Sequence, residues 1–394
     1  MQSVDFKNAR LSRLGFGAMR LPQRDDNTID EAKTQAMVDY AIEHGVNYFD
    51  TAHPYLGGYS EIVLGRCLAK HERRSYYLAT KYPGHQIADS YDPEAIFEEQ
   101  LRKCGVDYFD FYLLHNIYEN SIDVYMDPRW GILDYFNEQK EKGRIRYLGF
   151  STHGRIETIE KWLDYAGEHM EFAQLQVNYL DWSLQNAKEK CDLVSSWELP
   201  VIVMEPIRGG TLANISAEAR KELEALRPGE SPAAWALRWC MNRDVAVILS
   251  GMSSFEQLAE NVATFDAAVP LSDAEEQALY AIADSMRDDI PCTACRYCTD
   301  SCPENLDIPT LLDYCNDMRV AKNFTTGMQI EALAENRRPG ACTACNACTA
   351  MCPQNIDIPL HMKELAEIFD SIPRWADLSR KRAQEAERLR NTHS

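Results

Sequence analysis

The chain is short of long apolar runs, of basic charge and of any leader-like start, and each shortage removes a class of function. Its longest apolar stretches, residues 245–249 and Val201–Met204, are strand-sized, far below the roughly 20 residues that a bilayer-crossing helix needs. The first ten residues, MQSVDFKNAR, have no apolar core behind a basic start, so no secretory leader is expected and a cytoplasmic location is. Forty-one Lys and Arg face sixty-one Asp and Glu, a formal charge of -20. Such a surplus repels polyphosphate backbones and anionic membrane surfaces, so neither nucleic acid nor membrane is an expected partner.

What is present is a folded, two-part chain. Its 394 residues, 45% apolar and 26% charged, exceed one core of ordinary size and suit a barrel with a second small domain. Short β-rich runs at 13–17, 47–50, 76–81, 109–115, 146–151, 172–177, 201–204 and 245–250 alternate with helical stretches at 30–44, 61–70, 93–104 and 255–263. Gly45, Gly105 and Gly143 stand where helices should stop. Eight βα units suggest a closed barrel, although periodicity alone leaves an open doubly wound sheet as the alternative.

The texture changes after Leu271, where a helical stretch leads into a segment crowded with Cys, Pro and Asp. The expected domains are 1–285, 286–372 and a helical tail at 373–394. Within the second, CTACRYCTDSCPENLDIP from Cys292 repeats as CTACNACTAMCPQNIDIP from Cys342, an offset of fifty residues. Three cysteines three apart, a fourth four later and then proline form the bacterial iron–sulfur run rather than the separated pairs of a zinc site. Thirteen cysteines in a reducing compartment are in any case better read as ligands or core thiols than as disulfides. Cys315, outside the repeat, is expected to be a core thiol. The tail residues Arg380, Lys381, Arg382, Arg388 and Arg390 are expected to form a solvated helix face.

This pattern resembles two-cluster ferredoxins, in which fourth ligands are exchanged between repeats. The resemblance implies two [4Fe-4S] clusters, one held by Cys292, Cys295, Cys298 and Cys352, the other by Cys342, Cys345, Cys348 and Cys302. The long gap between the repeats reads as helices, and with NLDIP and NIDIP it resembles the helical ferredoxin domains of succinate dehydrogenase-type proteins. The implied domain is small, mainly α-helical and ferredoxin-like.

The earlier part of the chain carries RLGFGAMRLP, NYFDTAHPYLGGYSEIVLG, LATK, FYLLH, GRIRYLGFS, LQVNY and SGMSSFEQLAENV in that order. The set resembles the aldo/keto reductases over residues 10–285. It implies a (β/α)8 TIM barrel and a tetrad of Asp50, Tyr55, Lys81 and His115 at the C-terminal ends of strands. The chemistry is coherent without the family. A phenol of pKa roughly 10 needs a neighbouring ammonium to act near neutrality, which Lys81 supplies while Asp50 holds it, and His115 orients a carbonyl that receives hydride.

The resemblance also implies an NADP or NAD site. Ser151 and Gln176 match carboxamide contacts; Gly17, Ala18 and Met19 match the first loop, and Ile207, Arg208 and Gly209 the pyrophosphate loop. Gly251, Ser253, Gln257, Glu260 and Asn261 match the adenosine end. Met204 replaces the stacking aromatic of many members, and Lys and Arg are absent from 244 to 285, which removes the usual 2'-phosphate clamp. The function expected is a cytoplasmic oxidoreductase transferring hydride from nicotinamide to a small-molecule carbonyl, or from an alcohol, coupled to or regulated by two clusters. Two alternatives are a reductase fed through the clusters by a ferredoxin or other redox partner, and a redox-sensing or binding barrel with structural clusters.

Overall fold

The computed structural model describes residues 1–267, 269–287 and 290–393, less the side chains of residues 300, 386, 387 and 389–393. Arg390 is among the latter, and residues 288 and 289 of the expected 286–372 domain are also outside the description. Two compact units result: Met1–Leu279 with Arg382–Ser394, and Tyr280–Lys381.

The first unit opens with an antiparallel hairpin, β1 (Ser3–Phe6) and β2 (Ala9–Ser12). Eight parallel strands follow: β3 (Leu14–Gly17), β4 (Tyr48–Asp50), β5 (Tyr77–Tyr82), β6 (Phe109–Leu114), β7 (Ile145–Thr152), β8 (Ala173–Gln176), β9 (Val201–Met204) and β10 (Val247–Gly251). They close in chain order, because β10 pairs with β9 through Ile248 and Val203 and with β3 through Ile248 and Leu14. Closure overturns the open-sheet alternative, which the sequence could not exclude because a strand buried on both faces reads the same in either sheet. All six residues of β6 and all four of β3 are buried.

Local signals set the helices between strands. In Pro93–Cys104, Asp92 accepts from the Ala95 amide, proline stands in the first turn, and Gly105 closes the helix at φ 64°, a left-handed conformation that glycine adopts without a Cβ clash. The helix expected at 61–70 begins earlier, as Tyr59–Leu68, and that expected at 255–263 runs on as Phe255–Ala267. The hairpin was not foreseen. It buries Phe6 and Leu11 among Tyr48, Phe111, Leu113, Tyr147 and Phe172 inside the barrel. Phe6 meets Phe111 and Tyr147 edge-on at 5.2 and 5.1 Å, the favoured aromatic arrangement. The hairpin thereby occupies the end of the barrel opposite the strand C-termini.

The second unit is helical, and its repeat is structural as well as sequential. Tyr297–Asp300 and Ile308–Val320 recur as Ala347–Met351 and Ile358–Asp370. The NLDIP and NIDIP segments open the long helices, with Pro309 and Pro359 in their first turns, where a missing amide hydrogen costs nothing. Leu311, Leu312, Met318, Met362, Leu365 and Phe369 fill the core between them with Cys315. Cys315 is wholly buried, as expected of a core thiol, and burial pushes its pKa up to about 12. Arg319 donates to both oxygens of Glu364 at 2.8 and 2.7 Å across the pair.

The last helix is Trp375–His393, whose first amides, those of Trp375 and Ala376, donate to Glu331 at 2.6 and 2.9 Å. Arg380, Lys381 and Arg388 are exposed, in keeping with a solvated face. Arg382 departs from that expectation and is half-buried.

Candidate active site and cysteine recesses

Asp50 ends β4 and Lys81 lies in β5; both are buried, while Tyr55 follows in a short turn and His115 directly follows β6. The Lys81 ammonium is 2.5 Å from Asp50 Oδ1 and donates to the Thr51 carbonyl at 2.8 Å. It lies 5.0 Å from the centre of the Tyr55 ring and hydrogen-bonds the phenol. The Tyr55 and His115 rings stand edge to face, 5.9 Å apart. All four expected tetrad residues are therefore neighbours at one end of the barrel. Behind Lys81, Glu61 accepts from Thr80 and Gln100 at 2.6 and 2.7 Å, and Gln100 also donates to the Lys81 carbonyl at 3.1 Å. This buried network holds the β5 backbone.

Electrostatics here follow from burial. Burial raises the Tyr55 pKa, with Lys81 working against it, so the phenol keeps its proton at neutral pH. For Lys81, burial disfavours the ammonium, but Asp50 and Tyr55 outweigh it and the pKa rises. His115 is pushed well below 6.5 by burial first and by His85 and Lys81 next. The His85 ring lies 4.2 Å from it, tilted by 57°, and its pKa is lowered to about 3, again mainly by burial. His153 falls to about 4 for the same reason. All three imidazoles are neutral near pH 7. Asp50 Oδ2 and His115 Nδ1 are buried without a hydrogen-bond partner.

The residues matched to a dinucleotide lie on several strand ends and loops. Gly17 ends β3 and is followed by a turn holding Ala18 and exposed Met19. Ser151 accepts from the Asn116 amide at 2.9 Å, and Gln176 donates to Asp181 at 2.7 Å. Met204, half-buried, ends β9. Arg208, between Ile207 and Gly209, is buried and held by Asp181 at 3.0 Å. Gly251 ends β10; Ser253 donates to the Arg20 carbonyl at 3.0 Å and its amide donates to Gln257 at 2.8 Å. Glu260 is exposed, whereas Asn261 is buried and donates to Ser250 at 3.0 Å.

Sequence reasoning overlooked Arg20, His85 and His153. Arg20 is 3.8 Å from Glu205, and β-carbons placed on Gly209 and Gly251 would each lie 3.3 Å from its side chain. One arginine thus reaches both glycine loops, through space that side chains there would fill. Arg20 stood within the quoted RLGFGAMRLP, but only folding brings it beside Gly209.

In the second unit the eight repeat cysteines line two recesses. One is bordered by Cys292, Cys295, Cys298 and Cys352, the other by Cys302, Cys342, Cys345 and Cys348. Each combines three cysteines of one repeat with the fourth of the other. The enclosing turns hold Ala294, Arg296 and Asn305 at φ 53°, 64° and 50°, and their counterparts Ala344, Asn346 and Asn355 at 55°, 61° and 54°. Non-glycine residues seldom adopt this region. It recurs at an offset of fifty, so the two cysteine segments turn in the same way around their recesses.

A buried lysine–carboxylate pair under a phenol at a barrel's strand ends, in one chain with a unit that carries two fourfold sets of thiols, defines a barrel oxidoreductase with an iron–sulfur domain. Comparison with known proteins gives the family. Residues 13–284 match the aldo/keto reductase family and residues 291–356 a 4Fe-4S dicluster domain. The chain belongs to the aldo/keto reductase family and is an NAD(P)-dependent oxidoreductase carrying iron–sulfur clusters. An NADH-specific methylglyoxal reductase of Escherichia coli is 27% identical over 323 residues, 70% of this chain and 96% of that protein. An uncharacterized oxidoreductase of Bacillus subtilis is 26% identical over 64% of this chain and 86% of its own. Among solved structures, the holo form of an aldo-keto reductase from Bacillus halodurans shares 28% identity at a TM-score of 0.57, covering 72% of this chain and 96% of that one.

Proposed function

We propose that the barrel reduces a small carbonyl compound, with Tyr55 as general acid, and that two [4Fe-4S] clusters in the second unit couple or regulate that reaction. The observation that carries this is the Lys81 ammonium, placed between Asp50 and the Tyr55 phenol. Burial keeps the phenol protonated, as an acid must be before it acts, and the adjacent cation lowers the cost of the phenolate left behind. Asp50 keeps the ammonium in place. Neutral His115 orients the carbonyl oxygen with a ring nitrogen without adding charge to the pocket.

Gly17, Ala18, Met19, Ser151, Gln176, Met204, Ile207, Arg208, Gly209, Gly251, Ser253, Gln257, Glu260 and Asn261 are the proposed dinucleotide contacts. Arg20 joins them as the cation, which keeps both NADP and NAD open. Space beside Gly209 and Gly251 suits a phosphate-bearing group. The two fourfold cysteine sets are the proposed cluster ligands, because four thiols around one recess are the donor set of a [4Fe-4S] cube. When bound, the nicotinamide supplies a hydride and each cluster a single electron. That mismatch of one and two electrons is why we read the cluster unit as a port for a one-electron partner, such as a ferredoxin, or as a redox regulator.

The domains so assigned are 1–285 for reduction, 286–372 for the clusters and 373–394 as tail. Methylglyoxal, named for the Escherichia coli relative, is the neutral reference compound for the carbonyl panel. The test is Tyr55→Phe in anaerobically purified protein, assayed over a carbonyl panel with and without reduced ferredoxin. General acid catalysis contributes about 10²- to 10⁴-fold, so kcat should fall by that factor with cofactor affinity unchanged. Turnover indifferent to the substitution would refute the assignment.

A further inference from the structure

From Arg382 onward the last helix belongs to the barrel unit. Two observations place this segment at the barrel mouth. Glu385 sets its carboxylate against Gly57, where a β-carbon would lie 2.8 Å from Oε2, and Gly57 is two residues from Tyr55 in the same turn. Arg382, one helical turn earlier, is half-buried while its neighbours Lys381 and Ala383 are exposed. Its charge interacts with the Tyr55 phenol and with the His85 and His115 imidazoles.

Other charged groups stand at the same mouth. Lys81 is held by Asp50 and Arg20 by Glu205; His85, His115 and His153 are neutral by burial. Arg382 has Glu385 of its own helix as an acidic neighbour, and that side chain is on an exposed residue. Arg382 therefore adds a guanidinium, partly withdrawn from water, on the side of the pocket where Tyr55 and His115 would meet a carbonyl. A guanidinium's planar fork matches a carboxylate with two parallel hydrogen bonds.

We propose that Arg382 is a specificity-determining residue that binds the carboxylate of the substrate, making the barrel a reductase of oxo acids rather than of neutral carbonyl compounds. This rests on the reading of Tyr55 and His115 as the groups that meet the carbonyl. A segment beyond the cluster domain would then complete the substrate pocket, and Glu385 would be the carboxylate that an incoming substrate displaces.

The test reads binding without turnover. Calorimetry of the full-length, cluster-loaded protein with reduced nicotinamide present compares oxamate with oxamide, which replaces the carboxylate by a neutral amide. The wild type should bind oxamate more tightly, and Arg382→Leu should weaken oxamate about 10- to 100-fold, the loss of a charge-assisted pair, with oxamide nearly unchanged. Arg382→Lys should recover part of the loss and serves if the leucine variant folds poorly, judged by cluster absorbance. Equal affinity for the two ligands in the wild type, no measurable oxamate binding, or equal weakening of both by Arg382→Leu would overturn the proposal. Failure of Tyr55→Phe to affect turnover strikes the reductase reading instead, so the two failures are distinguishable.

Discussion

The two units fold around different kinds of centre. The barrel fills its interior with its own side chains: Phe6, Tyr48, Phe111, Tyr147 and Phe172 interlock, and every barrel strand is paired on both edges. The second unit packs an apolar shell of Leu311, Leu312, Met362 and Leu365 beside Cys298 and Cys348, and its eight repeat cysteines border two recesses instead of joining one core. A unit of this size, Tyr280–Lys381, buries less of its surface than the larger barrel. The lesson is that one unit carries its stability in its sequence, while the other is built to share stability with what it binds.

Withholding iron should separate the units most sharply. Hydrogen exchange should lose protection throughout Ile308–Val320 and Ile358–Asp370, while β5, β6 and β7 stay protected. A second unit that remains fully protected without iron would break the contrast. Cys302→Ser refines it within the second unit: spectroscopy and iron analysis should show damage to the cluster bordered by Cys342, Cys345 and Cys348, sparing that beside Cys292. Loss of only the latter would refute the exchange of ligands.

On the barrel side, Lys81→Met should lower kcat by about 10²- to 10⁴-fold, since the phenol loses the cation that eases proton release, with both clusters retained. Phe6→Ala should cost about 3–5 kcal/mol of barrel stability, read by denaturant unfolding, with cluster content unaffected. The smallest effect is on pH. His85 is lowered to about 3 in the folded barrel, so the unfolded chain takes up a proton first as pH falls below about 6.5. Its contribution is full above that value and declines below it, by about 2 kcal/mol at pH 5. His85→Gln should remove this share of the decline while His115 and His153 keep theirs, as thermal unfolding at pH 7 and pH 5 would measure.

Much of this was legible in the sequence because the signals are local and periodic. Eight buried runs announced eight strands; Pro93 and Gly105 bounded a helix; the fifty-residue repeat announced an iron–sulfur domain. The hairpin at Ser3–Ser12 escaped because its apolar residues, Val4, Phe6, Ala9 and Leu11, fall in two runs too short to mark strands and acquire meaning only against Phe111 and Tyr147. Arg208 illustrates the opposite limit: the resemblance matched it to a pyrophosphate loop, and its burial against Asp181 depends on a residue that opens another segment, the short helix Asp181–Leu184.

By itself the sequence determined the order of strands and helices, the family and the iron–sulfur repeat, since each depends on residue type and spacing along the chain. Tertiary structure alone decided that Arg20 reaches both Gly209 and Gly251, and it closed the sheet and grouped three cysteines of one repeat with the fourth of the other, which the sequence offered through resemblance only. It alone decided, too, that Arg382 lies near Tyr55. The reason is the same in each case: these are approaches between segments far apart in the chain, and packing and burial set them where no local propensity can.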